Sequence, residues 1–76
     1  MNKNDVLAKT GTNRRALTLL VEALDLVESN REANESCGTY DHRGTTFDIK
    51  SAIVNLVVID IPDISEEEMH IITGGA

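Results

Sequence analysis

The feature that most limits what this chain can fold into is an apolar stripe in its first half. Between residues 14 and 34, Ala16, Leu17, Leu19, Leu20, Ala23, Leu24, Leu26 and Val27 recur at alternating intervals of three and four. Arg15, Thr18, Glu22, Asp25 and Ser29 hold the polar positions between them. That spacing is the period of an α-helix and lays the apolar side chains along one face. Thr12 or Asn13 stands where an N-cap is needed, so the pattern predicts a helix over roughly 14–34. Val21 falls outside the main arc. The arc is wide, which implies contact with more than one neighbouring helix, as in a bundle or a dimer.

The remaining segments read as shorter helices and one loop. Asn4 is placed to cap a first helix over 5–10, with Gly11 ending it. Asn34, Ser36, Gly38, Asp41 and Gly44 are turn formers and predict a loop over 34–45. Thr45 or Thr46 then opens a second long segment. Asp48, Ser51 and Asn55 repeat there at helical spacing, whereas Ile53, Val54, Val57, Val58 and Ile59 are β-branched and favour a strand. The coherent polar stripe decides for a helix over 46–59, with 56–61 open between helix and an extended end. Pro62 stops whatever precedes it. After it, Ser65 and Glu68 have the spacing of a capping box, and Ile64 and Met69 that of the hydrophobic staple across it. Glu66 and Glu67 suit the positive end of the helix dipole. Gly74 can close the turn, giving a helix over 66–73.

Seventy-six residues make one domain with a marginal core, and chains this short usually need a disulfide, a metal or a second chain. Cys37 is the only cysteine, so no disulfide forms within one chain. The other borderline metal ligands are only His42 and His70, too few for a structural site. Oligomerisation is the remaining staple, and a homo-oligomer is expected. The single Phe, the single Tyr, the absence of Trp and a net charge of −6 argue against stacking on bases or pairing with phosphates, so no DNA or RNA partner is expected. No apolar run reaches the ~18–20 residues of a membrane span. The N-terminus opens no export signal, and with a free thiol this predicts a cytoplasmic protein.

The acidity is uneven. Residues 1–50 carry seven bases and eight acids, while 51–76 carry five acids (Asp60, Asp63, Glu66, Glu67, Glu68) and no Lys or Arg. That segment is suited to dock on a basic partner. Its end reads Ile64-Ser65-Glu66-Glu67-Glu68-Met69-His70-Ile71-Ile72-Thr73-Gly74-Gly75-Ala76. Over these residues the chain resembles the double-glycine leaders of ribosomally made peptide precursors, including bacteriocin-like and modified peptides. Ile64, Ser65, Glu68, Met69, Ile72, Gly74 and Gly75 match the pattern at its spacing. The resemblance implies a helix whose apolar face docks on a processing peptidase, with cleavage after Gly75. It also implies recruitment of modifying enzymes, and a chain that is the front part of a longer precursor. A terminal Gly-Gly is also similar to ubiquitin-like sulfur carriers, but those end on the second glycine and need a β-grasp sheet.

A second constellation concerns anions. Thr12, Arg14 and Arg15 open the long helix, and Arg43, Thr45 and Thr46 open the next. Hydroxyls and guanidinium groups at a helix N-terminus attract phosphate or carboxylate. This supports an alternative reading: a phage- or mobile-element-type inhibitor that binds a host protein or sequesters a nucleotide-like ligand. Cys37, Asp41 and His42 lie close in sequence but lack an orienting third group or an oxyanion donor. Asp60, Asp63 and Glu66 lack calcium-loop spacing.

Together these features predict an all-α fold. Its centre is a helical hairpin of 14–34 and 46–59 with short flanking helices, in one domain over 1–76. Residues 62–76 form its acidic docking helix and Gly-Gly tail. They predict a non-catalytic interaction protein with no cofactor and no metal, whose C-terminal helix meets a protein partner.

Overall fold

In a computed structural model, whose described residues are 1–74, the chain is all-helical. Five helices follow in order: α1 Lys3–Leu7, α2 Arg14–Ser29, α3 Arg31–Glu35, α4 His42–Asp60 and α5 Glu66–Ile72. No strand occurs among the described residues.

The centre of the fold is the antiparallel pair α2 and α4. Asp60, the last residue of α4, meets the start of α2 at Gly11 and Asn13. His42, the first residue of α4, lies 3.4 Å from Glu28 near the end of α2. Leu17, Val21 and Leu24 from α2 close on Ile53 and Val57 from α4, and Val6, Leu7, Ile61 and Ile72 complete the buried cluster. Each aliphatic side chain buried this way contributes about 1.5–3 kcal/mol. The burial of Ile53 and Val57 one turn apart explains why a β-branched run is helical through Asp60, including residues 56–60. Tertiary packing overrides their propensity.

Several boundaries differ from the sequence expectation. The first helix is capped by Asn2, not Asn4. Its side chain accepts from the Asp5 N–H while Asp5 accepts from the Asn2 N–H. The long helix does not run unbroken to 34. It leaves helical geometry at Asn30, and α3 begins after it. The second long helix starts four residues before 46, because the Asp41 carboxylate accepts from the Gly44 N–H 3.0 Å away. Thr45 and Thr46 are inside the helix and bond back to the carbonyls of Asp41 and His42. Gly44 belongs to the first turn of α4: a Cβ there would come within 2.9 Å of the Asp41 Cγ.

The stripe on α2 is also rotated from its expected place. Val21 is 5% exposed, whereas Leu19 and Leu26 are 48% and 56% exposed. At about 100° per residue, Val21 lies to one side of the Leu17–Leu24 line and the two leucines lie behind it. Helices α1 and α5 cover the Val21 side. Lys3 pairs with Asp25 at 2.5 Å, Arg14 donates to the Ala8 and Thr10 carbonyls, and Gly74 sits near Leu24.

Candidate docking surface

Pro62 follows α4 in a turn in which the Ile64 N–H donates to the Ile61 carbonyl at 3.1 Å. The ring fixes φ at the second turn position and sends the chain back along α4. Ser65 then caps α5. Its hydroxyl accepts from the Glu68 N–H at 3.1 Å, and Glu68 Oε1 accepts from the Ser65 N–H and hydroxyl. This is the capping box read from the sequence. The other Glu68 oxygen accepts from Lys9 at 2.6 Å, tying α5 to the end of α1. The Lys9 hydrogen bond, with the Ser65 N–H second, holds the Glu68 carboxyl below its usual range, and Glu68 raises Lys9 in turn. At the far end Thr73 bonds back to the Met69 carbonyl, and Gly74 adopts φ 70°, the left-handed turn that favours glycine.

The leader-like residues therefore divide between two tasks. Ile72 is 0% exposed and belongs to the core. Ile64 and Met69 pack partly against the core. Ser65, Glu68 and Gly74 hold the two ends of α5. Gly75 lies outside the described residues. Glu66, Glu67 and Asp63 are exposed and form an acidic rim around the turn.

Beside this helix lies a groove of about 360 Å³ lined by Phe47, Lys50, Ser51, Val54 and Asn55 from α4 and by Met69 and Thr73 from α5. Phe47 is the only phenylalanine in the chain, and it is 67% exposed. The groove is therefore apolar at its centre and polar along its edges, the arrangement of a side-chain acceptor. Sequence reasoning missed it. The available signal was Phe47, Val54 and Val58 at helical spacing, a second apolar line beside Ile53 and Val57. A larger cleft of about 610 Å³ runs past Asn2, Lys3, Asn4, Asp25 and Ile71. Four of those five residues are polar, and the two charges there already pair with each other.

The anion-attracting helix ends are distributed differently from the sequence expectation. At α2, the Asp60 carboxylate accepts from the Gly11 N–H at 2.9 Å, the Asn13 N–H at 2.8 Å and the Asn13 side chain at 3.1 Å. The Gly11 bond is the main cause holding Asp60 below the usual carboxylate range. Arg14 is turned onto the end of α1, while Thr12 and Arg15 are exposed. At α4, Asp41 is the cap, Thr46 is buried and Arg43 is exposed. Because the helices are antiparallel, Arg14 and Arg15 sit at one end of the hairpin and Arg43 at the other, about 24 Å away along 16 helical residues. One chain does not bring these two sets together.

Cys37, Asp41 and His42 also turn to separate partners. Cys37 is exposed and 3.4 Å from the Thr39 hydroxyl, which lowers its thiol pKa. The two ring nitrogens of His42 meet the Tyr40 hydroxyl at 2.9 Å and Glu28 at 3.4 Å. Among the described residues no cluster of His, Cys, Asp or Glu could hold a metal ion, and no helix is long and apolar enough to cross a membrane. No protein-family model matches the chain, and no match is found among curated proteins or solved structures.

Proposed function

We propose that the chain is a non-catalytic interaction protein, and that a partner protein docks on the surface shared by α5 and the adjoining side of α4. In its most specific form, residues 64–75 are a double-glycine-type leader element read by a maturation or export enzyme. The observation that carries the reading is the placement of Met69. This leader-pattern residue lines the same groove as the exposed Phe47.

The surface divides labour in a way that suits docking. Phe47, Val54 and Met69 offer an apolar floor for a partner's anchoring side chain, the part of an interface that carries most affinity. Asp63, Glu66 and Glu67 put negative charge at the Pro62 end of α5, which speeds encounter with a basic partner, while Lys50 stands in the groove itself. Ile72 in the core and the Ser65–Glu68 cap hold α5 in one pose, so little ordering entropy is lost on binding. The turn at Gly74 ends the helix. A reducing cytoplasm accords with the exposed Cys37 thiol.

The test is processing. A double-glycine peptidase is incubated with the chain carrying a reporter peptide after Ala76, and products are read by intact mass. Cleavage after Gly75 is expected, with Met69→Ala and Gly75→Ala blocking it and Phe47→Ala slowing it. Unchanged cleavage of Met69→Ala would sink the leader reading.

A further inference from the structure

Helices α1 and α5 cover only one side of the α2–α4 pair. With Leu17 and Ile53 as the facing positions, Val21, Asp25, Lys50 and Val54 turn toward the covered side. The opposite side has no helix over it. On α2 that side presents Ala16, Leu19, Leu20, Ala23, Leu26 and Val27. On α4 it presents Ile49, Ala52, Leu56 and Ile59. Leu20, Ile49 and Leu56 among them are half-buried and already pack partly against the core, while Ala16, Leu19, Leu26 and Ile59 are exposed, Ile59 at 64%. A quarter of the chain is charged, yet charge stands only at the edges of the two stripes: Arg15 and Glu22 beside Leu19 and Leu26 on α2, and Asp48 on α4.

We infer that this uncovered face is a homodimer interface, on which a second copy of the chain packs hairpin against hairpin to form a four-helix core. The proposal concerns the face opposite the docking groove and goes beyond the function proposed above. Three observations select a second copy as the occupant. The first is area. The molecule measures 40 × 20 × 20 Å, so one long face offers at most about 800 Å², which reaches the share each partner contributes to a standard stable interface. The second is shape. A self-sufficient chain of 8.3 kDa has a surface of about 4,600 Å² and a radius of gyration of about 11 Å. This one has 4980 Å² and 12.9 Å, an elongated half of something thicker.

The third is charge and relief. Each chain has a net charge of −6, and Asp63, Glu66, Glu67 and Glu68 lie on or just before α5, so a twofold contact through the bare face leaves those four outside it. Small Ala16, Ala23 and Ala52 stand among the larger Leu19, Leu26 and Ile59. Such alternation is self-complementary when a face meets its own copy across a twofold axis. A lipid surface would need a run of basic residues flanking the apolar stripe, and here the flanks carry one base, Arg15, against the acids Glu22 and Asp48.

The full chain is examined by sedimentation velocity at about 100 μM, where a micromolar interface is saturated. The expected mass is twice 8.3 kDa. Ala23→Glu combined with Ile59→Glu puts like charges across the twofold without hollowing the core. It is expected to give a monomer with unchanged helicity by circular dichroism, which at this concentration requires a loss of affinity of about a thousandfold. Leu19→Glu, at a more exposed position, is the second variant and is expected to do the same. Phe47→Glu, in the docking groove, is expected to leave the dimer intact. A wild-type monomer at this concentration would overturn the proposal. So would a dimer that survives Ala23→Glu/Ile59→Glu and Leu19→Glu, or one that dissociates on Phe47→Glu.

Discussion

Replacing Ile72 by alanine separates two pictures of the C-terminal segment: a helix that completes the core, or a tail that merely rests near it. Ile72 is 0% exposed and sits in the cluster that contains Leu24 and Val57. Truncation removes its buried methyl groups and leaves a cavity, which for isoleucine costs about 2–5 kcal/mol. A seven-residue helix has almost no stability of its own, so once Ile72 is shortened little holds α5 beyond the Lys9–Glu68 pair and the half-buried Ile64, Met69 and Ile71. The expected loss is therefore about 3 kcal/mol, a large part of the roughly 4–11 kcal/mol of a domain this size. Urea unfolding followed by far-UV circular dichroism, at fixed protein concentration, reads it directly. With a slope near 1 kcal/mol/M the midpoint falls by about 3 M. Ile72→Val should cost only about 1 kcal/mol. A midpoint for Ile72→Ala within about 0.5 M of wild type would refute the placement of α5 in the core.

Two further outcomes follow from the packing and the charges. The carboxyls of Asp60 and Glu68 are held below their usual range, mainly by the Gly11 N–H and by Lys9. They bind protons less readily folded than unfolded, so their contribution is full above about pH 5 and is lost as pH falls through the lowered folded values. Urea midpoints measured from about pH 7 downward should therefore fall below about pH 5, and Asp60→Asn together with Glu68→Gln should flatten that decline. Val21→Ala should destabilise by about 2 kcal/mol while Leu26→Ala, although it removes more atoms, costs less in the monomer. The reverse order would mean that α2 is rotated as the stripe alone suggested.

Much of the fold can be read in the sequence because local chemistry sets it. Ser65, Glu68 and Gly74 bracket α5 where their types require, and Pro62 ends the segment before it. The errors have physical causes. Asp41 and Gly44 look like loop residues by composition, yet at three apart they make a cap whose N–H donor is the glycine, so α4 begins before the threonines. Val21 lies outside the main apolar arc and Leu26 inside it, and an arc cannot reveal which side of the helix α1 and α5 will cover. The Asp60 carboxylate reaches Gly11 and Asn13 across 49 and 47 positions of the chain, a pairing no local pattern contains. That pairing explains why an end rich in hydroxyl and arginine residues is served by the protein's own acid.

The candidate surface was half legible for the same reason. The acidic rim and Met69 stand in one short segment and were read together. The groove floor needs Phe47 and Val54 from a helix more than a turn's length away in sequence, and only the turn at Pro62 brings them beside Met69.

The most direct test of the docking surface is hydrogen exchange on the full chain, with and without a double-glycine peptidase domain. The account predicts slowed exchange on binding in residues 47–55 and 66–73, with residues 14–29 unchanged. Protection confined to α2, or none in α5, would contradict it.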